Sequence, residues 1–299
     1  MRAVRFHEFG PADVLGVEEV PDPVAGPGQV LVRVTAIGLN YGETVIRSGK
    51  AGGVVPWLDL TPGALGGEVV GVTADGRRLI GFAQGQGYAE QALLPEDALQ
   101  VPDGVTDHEA LALHMQGATA VAAMGAARLV AGERVLVEAA AGGVGSLLVQ
   151  LAAREGATVV AAARGAEKLA LARELGAHEV VDYGEPDWPT RVEPVDVALS
   201  SVGGAVGRQS FELLRDGVGR FVVYGFASGE LVDVGAADVF RKGVALVGFG
   251  NPMTPDNTRR AFDLDVRPVL GEALPLADAV RAHELLESRA TTGKLVLVP

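Results

Sequence analysis

The sequence predicts an α/β protein of two domains, one a mainly β, barrel-like lobe and the other a parallel sheet wound with helices. Three observations carry this. Short β-rich runs broken by glycine and proline fill the first 115 residues; from Glu133 such runs alternate with helical ones; and a final β-rich run, Leu295–Val298, follows a helix. Strands spaced by helices imply right-handed crossovers and a parallel sheet. A chain of 299 residues also lies where single cores tend to split into two.

In the first lobe, Val30–Val34 (VLVRV) is a compact strand led in by the turn Ala25-Gly26-Pro27-Gly28, and Val69–Val72, Arg78–Phe82 and Tyr88–Leu94 continue the pattern. In the second, Arg134–Glu138 (RVLVE) is a strand. Val144, Leu147, Leu148 and Leu151 then recur at i, i+3, i+4 and i+7, one face of a helix. Thr158–Ala163 is the next strand, and Glu167–Leu175 a helix that Gly176 stops. Val180–Tyr183, Val195–Leu199, Gly219–Tyr224 and Val244–Phe249 supply further strands. A Pro/Asn-rich loop, a helix at Leu276–Ser288 and the last strand follow, and that strand is expected to return to the first lobe. The first lobe is then discontinuous, 1–115 with 250–299, around a second domain at 116–249.

Composition removes several function classes. The net charge of −13 repels phosphodiester backbones and argues against a nucleic-acid role. No continuous apolar run approaches the ~18–20 residues of a membrane helix, and the N-terminus MRAVRFHEFG carries charges where a signal peptide is apolar, so a cytoplasmic protein is expected. The absence of cysteine rules out disulfides, iron–sulfur clusters and thiolate zinc sites. The five histidines form no HExxH pair, and His108 and His114 are spaced wrongly to share a helix face. No metal site is expected.

The sharpest motif is Val137-Glu138-Ala139-Ala140-Ala141-Gly142-Gly143-Val144-Gly145, which follows a strand and opens an amphipathic helix. In the GxGxxG frame its positions are Ala140, Gly142 and Gly145. Gly142 leaves no Cβ between backbone and a diphosphate, Gly145 lets the helix lie close to the strand, and the helix start offers N–H groups and a positive dipole end. This context predicts a Rossmann dinucleotide site that includes Ala141, Gly143 and Val144. An NAD-selective site ends its second strand in Asp or Glu. Here that strand meets Arg164, with Gly165 and Lys168 close behind, and two cations suit a phosphate, so NADPH is the expected cofactor.

The run Ala139–Leu151 (AAAGGVGSLLVQL) with Glu167–Tyr183 (EKLALARELGAHEVVDY) resembles the zinc-independent quinone oxidoreductases of the medium-chain dehydrogenase superfamily. Gly38-Leu39-Asn40, Glu43-Thr44 and Ile46-Arg47-Ser48-Gly49 are similar to the family's N-E-T-Y-I-R-S-G segment. Gln116-Gly117-Ala118-Thr119-Ala120 is similar to its K-G-x-T segment, and Leu285-Leu286-Glu287-Ser288 with Thr292-Gly293-Lys294 to its last helix and strand. The resemblance implies a GroES-like catalytic lobe beside the Rossmann lobe and a homodimer joined at the Rossmann sheet edges. Carried over by position, it implies Asn40 and Thr119 near the nicotinamide end, and Lys168 and Tyr183 at the adenosine 2′-phosphate. Gly225, Phe226 and Ser228 would lie in the loop over the cofactor, and Lys294 would belong to the cofactor set.

Departures matter too. Gly67 stands where the zinc enzymes carry a ligand histidine, and Val45 where many quinone oxidoreductases have Tyr. Ala51 falls where enoyl reductases carry a proton-donating Tyr, with Tyr41 keeping a phenol nearby. With no metal to polarise a carbonyl, the expected substrate is a quinone or α,β-unsaturated carbonyl, which contains its own electron sink. Asn40, Tyr41 and Thr119 are the candidate catalytic residues, while Glu43 and Glu68 read as acid/base groups or, more simply, as salt-bridge and loop anchors. A catalytically silent NADPH-binding sensor and an enoyl-thioester reductase are the competing readings.

Overall fold

The computed structural model describes residues 1–50, 61–83 and 86–299, and the chain divides into two compact units, Met1–His114 with Leu270–Pro299, and Met115–Val269. The first opens with strands β1 (Arg2–Arg5), β2 (Gly16–Glu19) and β3 (Gln29–Gly38), a short helix α1 (Tyr41–Arg47), and strands β4 (Glu68–Val72), β5 (Arg78–Phe82), β6 (Gln91–Pro95) and β7 (Leu99–Gln100). Helix α2 (Asp107–Ala127) carries the chain into the second unit. There it forms β8 (Arg134–Val137), α3 (Gly143–Arg154), β9 (Thr158–Ala163), α4 (Ala166–Glu174), β10 (Glu179–Asp182) and β11 (Val197–Ser200). It continues through α5 (Gly204–Glu212), β12 (Arg220–Val223), α6 (Ala236–Lys242), β13 (Ala245–Gly248) and α7 (Pro255–Phe262). Strand β14 (Leu270–Pro275), helix α8 (Ala279–Ser288) and strand β15 (Lys294–Val298) then complete the first unit.

The first unit is built on a sheet ordered β14-β15-β3-β4-β5-β7, with β6 also pairing β3. Its central strand β3 alternates as a half-buried strand does: Val32 and Val34 point into the core, while Leu31 and Arg33 face out. Phe6, Ile37, Val69, Leu94 and Leu295 meet in that core. The C-terminal strand β15 runs antiparallel to β3, Val296 opposite Gly38, so the first domain is discontinuous as the sequence predicts.

The second unit holds six strands in the order β10-β9-β8-β11-β12-β13, every pairing parallel. Counted from β8, the order is 3-2-1-4-5-6, the doubly wound arrangement whose ligands bind where the order reverses, here between β8 and β11. The inner strands are buried along nearly their whole length, which explains their unbroken Val, Leu and Ala composition. Helix α2 is long and apolar enough to cross a bilayer by composition, but 72% of its most apolar window is buried in the protein, as in a core helix.

Three expectations change. Residues 250–269, expected with the first domain, pack in the second unit: Gln150 of α3 exchanges hydrogen bonds with Arg267, and Arg154 pairs with Asp265. Part of the expected loop is helix α7, started by the Thr254 hydroxyl accepting the Asn257 N–H at 3.2 Å, with Pro255 in the first turn. Strand β14 was also unexpected, since its largely exposed LGEALP sequence lacks an apolar alternation.

Phe211 of α5 is fully buried against Phe221 of β12, ring centroids 5.5 Å apart and edge-on. Phe211→Ala is expected to cost about 3–5 kcal/mol, read as a fall in the urea midpoint at unchanged slope; a loss below about 1 kcal/mol contradicts this packing.

Candidate functional site

The glycine motif forms a tight turn at the carboxyl end of β8. Ala139 adopts φ +47°, unusual for a residue with a Cβ, and its carbonyl accepts the Gly142 N–H at 2.8 Å. Helix α3 starts at once, driven into the unit by buried Leu147, Leu148, Val149 and Ala152. Gly145 permits that start, because a Cβ there would sit 2.8 Å from the Ala139 carbonyl carbon and 3.0 Å from the Ala140 Cα. A Cβ on Gly143 would lie 2.8 Å from the Gln116 side chain, so the segment before Thr119 lines the same turn. The Thr119 hydroxyl donates to the Met115 carbonyl of its own helix, and the residue is 8% exposed. Ala141 is buried, whereas Gly142, Gly143 and Val144 are half-buried. The first helical N–H groups have no acceptor within α3, so the turn presents donors of the kind that can receive an anion.

At the tip of β9, Arg164 is exposed and its guanidinium lies 6.0 Å over the ring of Tyr183, at the end of β10. Sequence reasoning missed what brings them together. Asp182 accepts the Gly165 N–H at 2.9 Å and the Gly184 N–H at 2.7 Å, pinning the two strand ends side by side. Its carboxylate is thereby engaged with backbone. Lys168 stands half-buried in the first turn of α4. On the other side of the switch point, the loop after β12 rests on the loop after β11: Ala227 N–H donates to Ser201 at 2.8 Å and Ser228 N–H to Val202 at 2.7 Å. Gly225 fits because a Cβ would approach the Ser201 carbonyl oxygen to 2.9 Å. Phe226 and Ser228 are half-buried there.

In the first unit, Asn40 ends the chain's run out of β3 and caps α1. Its N–H donates to Glu43 Oε2 at 3.0 Å, and the same oxygen accepts the Tyr88 hydroxyl at 3.0 Å. Burial pushes the Glu43 carboxyl above its ordinary value, against those hydrogen bonds. Lys294 donates to Asn40 Oδ1 at 2.9 Å and to Glu68 Oε2 at 2.5 Å, while His114 Nδ1 lies 2.9 Å from Glu68 Oε1. An ammonium only donates, so it faces the amide's oxygen and fixes which way Asn40 is turned. Burial alone would raise the Glu68 carboxyl; Lys294 and His114 outweigh it and hold it at about 2. Lys294 is thus a buried partner of Asn40, its side chain 1% exposed. Nothing in the sequence marks this network, whose members are far apart in the chain. Tyr41 is half-buried at the start of α1, and Val45 is buried. Ala51 lies outside the described residues. At Gly67, a Cβ would come within 2.7 Å of the Phe82 ring.

Comparison with known proteins bears on this arrangement. The family model described as zinc-binding dehydrogenase matches residues 143–264. Mouse quinone oxidoreductase is 32% identical over 100% of this chain and 98% of its own, and a 2-haloacrylate reductase from Burkholderia sp is 30% identical over 99% and 98%. The structure of quinone oxidoreductase from Thermus thermophilus, described alone and in complex with NADPH, superimposes with a TM-score of 0.85 at 34% identity, covering 100% of both chains.

The lowered Glu68 group contributes stability above its unfolded value near 4.5, and that contribution disappears as pH falls towards about 2. Urea midpoints of Glu68→Gln are therefore expected to fall less steeply than wild type between pH 4.5 and about 2, from a neutral-pH stability lower by about 3–5 kcal/mol because Lys294 loses its counter-charge. Parallel acid limbs would remove the pair from the stability balance.

Proposed function

This chain belongs to the quinone oxidoreductase family of the medium-chain dehydrogenases, and we propose that it passes hydride from NADPH to a quinone or another α,β-unsaturated carbonyl. The observation that carries the cofactor choice is the tip of β9, where Arg164 stacks on Tyr183 and the Asp182 carboxylate beside them is tied to backbone N–H groups. An exposed guanidinium in that place suits a 2′-phosphate, and Lys168 adds a second cation. The diphosphate would rest on the Ala141–Val144 turn, with the Gly225, Phe226 and Ser228 loop covering the opposite side of the crevice. Bound there, NADPH supplies the hydride; the protein's part is position and electrostatics.

Asn40 and Thr119 are the proposed contacts at the nicotinamide end, with Tyr41 as a phenol available for proton transfer. Lys294 serves this set indirectly, by holding the Asn40 amide in one orientation. The matching family model is described as zinc-binding, but no group of His, Asp and Glu among the described residues is arranged to hold a metal; the sequence has no cysteine, a Cβ on Gly67 would meet the Phe82 ring at 2.7 Å, and His114 is engaged with Glu68. We therefore assign no step to a metal. The substrate's own conjugation then has to accept the electrons, which favours quinones and enones over simple alcohols. Val45, buried where many relatives carry Tyr, keeps a cofactor-binding protein without turnover as the second reading.

A homodimer is proposed through β13. It is an edge strand, Leu246 is 45% exposed on it, and Phe240 of the preceding helix is 91% exposed. An apolar open edge calls for a partner strand.

Wild-type protein is expected to oxidise NADPH when a quinone panel is added; binding without oxidation would favour the second reading, and no binding would end both. Arg164→Ala is expected to raise the KM for NADPH about ten-fold or more, the value of one charge-assisted hydrogen bond, with the KM for NADH unchanged. Equal effects on both coenzymes would sink the 2′-phosphate assignment. In light scattering, the wild type is expected at twice the 30.8 kDa chain mass and Phe240→Asp with Leu246→Lys at that mass; an unchanged dimer would place the interface elsewhere.

A further inference from the structure

Glu138 is the first residue after β8, immediately before the glycine turn, and is fully buried. Its Oε2 accepts three hydrogen bonds from the segment that follows β11: the Ser200 hydroxyl at 3.1 Å, the Ser201 N–H at 2.9 Å and the Val202 N–H at 2.8 Å. Its Oε1 is buried without a hydrogen-bond partner among the described residues, as is the Ser210 hydroxyl on α5. Among the described residues no Lys, Arg or His forms an ion pair with it. Burial pushes this carboxyl above the usual carboxylate range, with the loop N–H groups acting in opposition.

A carboxylate so placed is costly, and packing alone would be served better by an apolar side chain such as the neighbouring Val137. What the carboxylate provides is direction. Two consecutive N–H groups converge on one of its oxygens, so the chain leaving β11 is held at a fixed height over the turn leaving β8. That segment then carries the next one. The Ser201 and Val202 carbonyls accept the Ala227 and Ser228 N–H groups, and Gly225 packs directly on Ser201. One side chain just past the first strand of the sheet therefore sets two further loops, at the carboxyl ends of the fourth and fifth.

We propose that Glu138 is a positioning residue for the coenzyme, holding the Ser200–Val202 and Gly225–Ser228 loops against the glycine turn so that the crevice has its binding shape before the ligand enters. The inference rests on the NADPH reading above. It assigns Glu138 no contact with the coenzyme.

The test compares Glu138→Ala, Glu138→Asp and Glu138→Gln by NADPH fluorescence titration, steady-state kinetics and thermal melting. Glu138→Ala leaves two loop N–H groups without their acceptor, and Glu138→Asp withdraws it by one methylene. Both are expected to raise the Kd and KM for NADPH about ten-fold or more, with kcat and the quinone KM at saturating NADPH within about three-fold of wild type. Glu138→Gln keeps an acceptor oxygen for the loop and turns its NH2 towards Ser210, so its Kd is expected within about three-fold of wild type. A residue that only supported the fold would lower the melting temperature and the active fraction while leaving Kd unchanged. If Glu138→Ala does not fold, Glu138→Asp decides alone. Wild-type Kd in the folded Ala or Asp variant overturns the proposal, as does a Gln variant as weak as Ala. Failure of the wild type itself to bind NADPH is a different outcome, and overturns the cofactor reading instead.

Discussion

The structure of the second unit depends on how closely α3 is allowed to approach the end of β8. Gly145 decides it: with no Cβ, the helix lies against the Ala139 and Ala140 backbone. The turn can then close through the Gly142 N–H, and the helix points its unpaired N–H groups out of the carboxyl end of the sheet. The parallel order places that helix start at the one point where crossovers leave in opposite directions. A larger residue at 145 would push the helix off the sheet.

The first unit answers a different problem, how to hold one polar side chain still. Asn40 is fixed through its main chain by Glu43 and through its amide by Lys294, and Lys294 is held by Glu68. Glu68 is kept ionised by Lys294 and His114 together despite full burial. The carboxylates Glu43 and Glu68, which by residue type alone read equally as acid/base groups, are both occupied by hydrogen bonds that shape the loop. Burying such charges is not an efficient way to stabilise a fold. It is an efficient way to allow one arrangement, since a buried polar group that gives up its hydrogen bond loses the full cost of its desolvation.

Local pattern was legible in the sequence wherever it had a local cause. The strand–glycine–helix motif and the Val- and Ala-rich inner strands follow from short-range rules, and the structure has them; the return of the last strand to the first domain was legible only from its standing alone after the final helix. Helix α7 carried a readable signal too, Thr254 followed by Pro255, but the surrounding Pro and Asn residues obscured it. Strand β14 gave no signal because it lies at a sheet edge and is largely exposed. What the sequence hid were the long-range polar contacts. Asp182 pinning Gly165, Glu138 reaching Ser201 and Val202, and Lys294 reaching back to Asn40 join residues separated by 17, 63, 64 and 254 positions, and no periodicity reports them. The cation cluster at Arg164 was visible as composition, whereas its stacking on Tyr183 required the fold.

A titration of 15N-labelled protein with NADPH, followed by amide NMR, tests most directly whether the coenzyme's diphosphate settles on the turn from β8 into α3. The expected result is that the amides of Gly142, Gly143, Val144 and Gly145 shift furthest, accompanied by those of Gly165 and Ser228. Saturable shifts confined to other parts of the chain, with the turn amides unmoved, would contradict it.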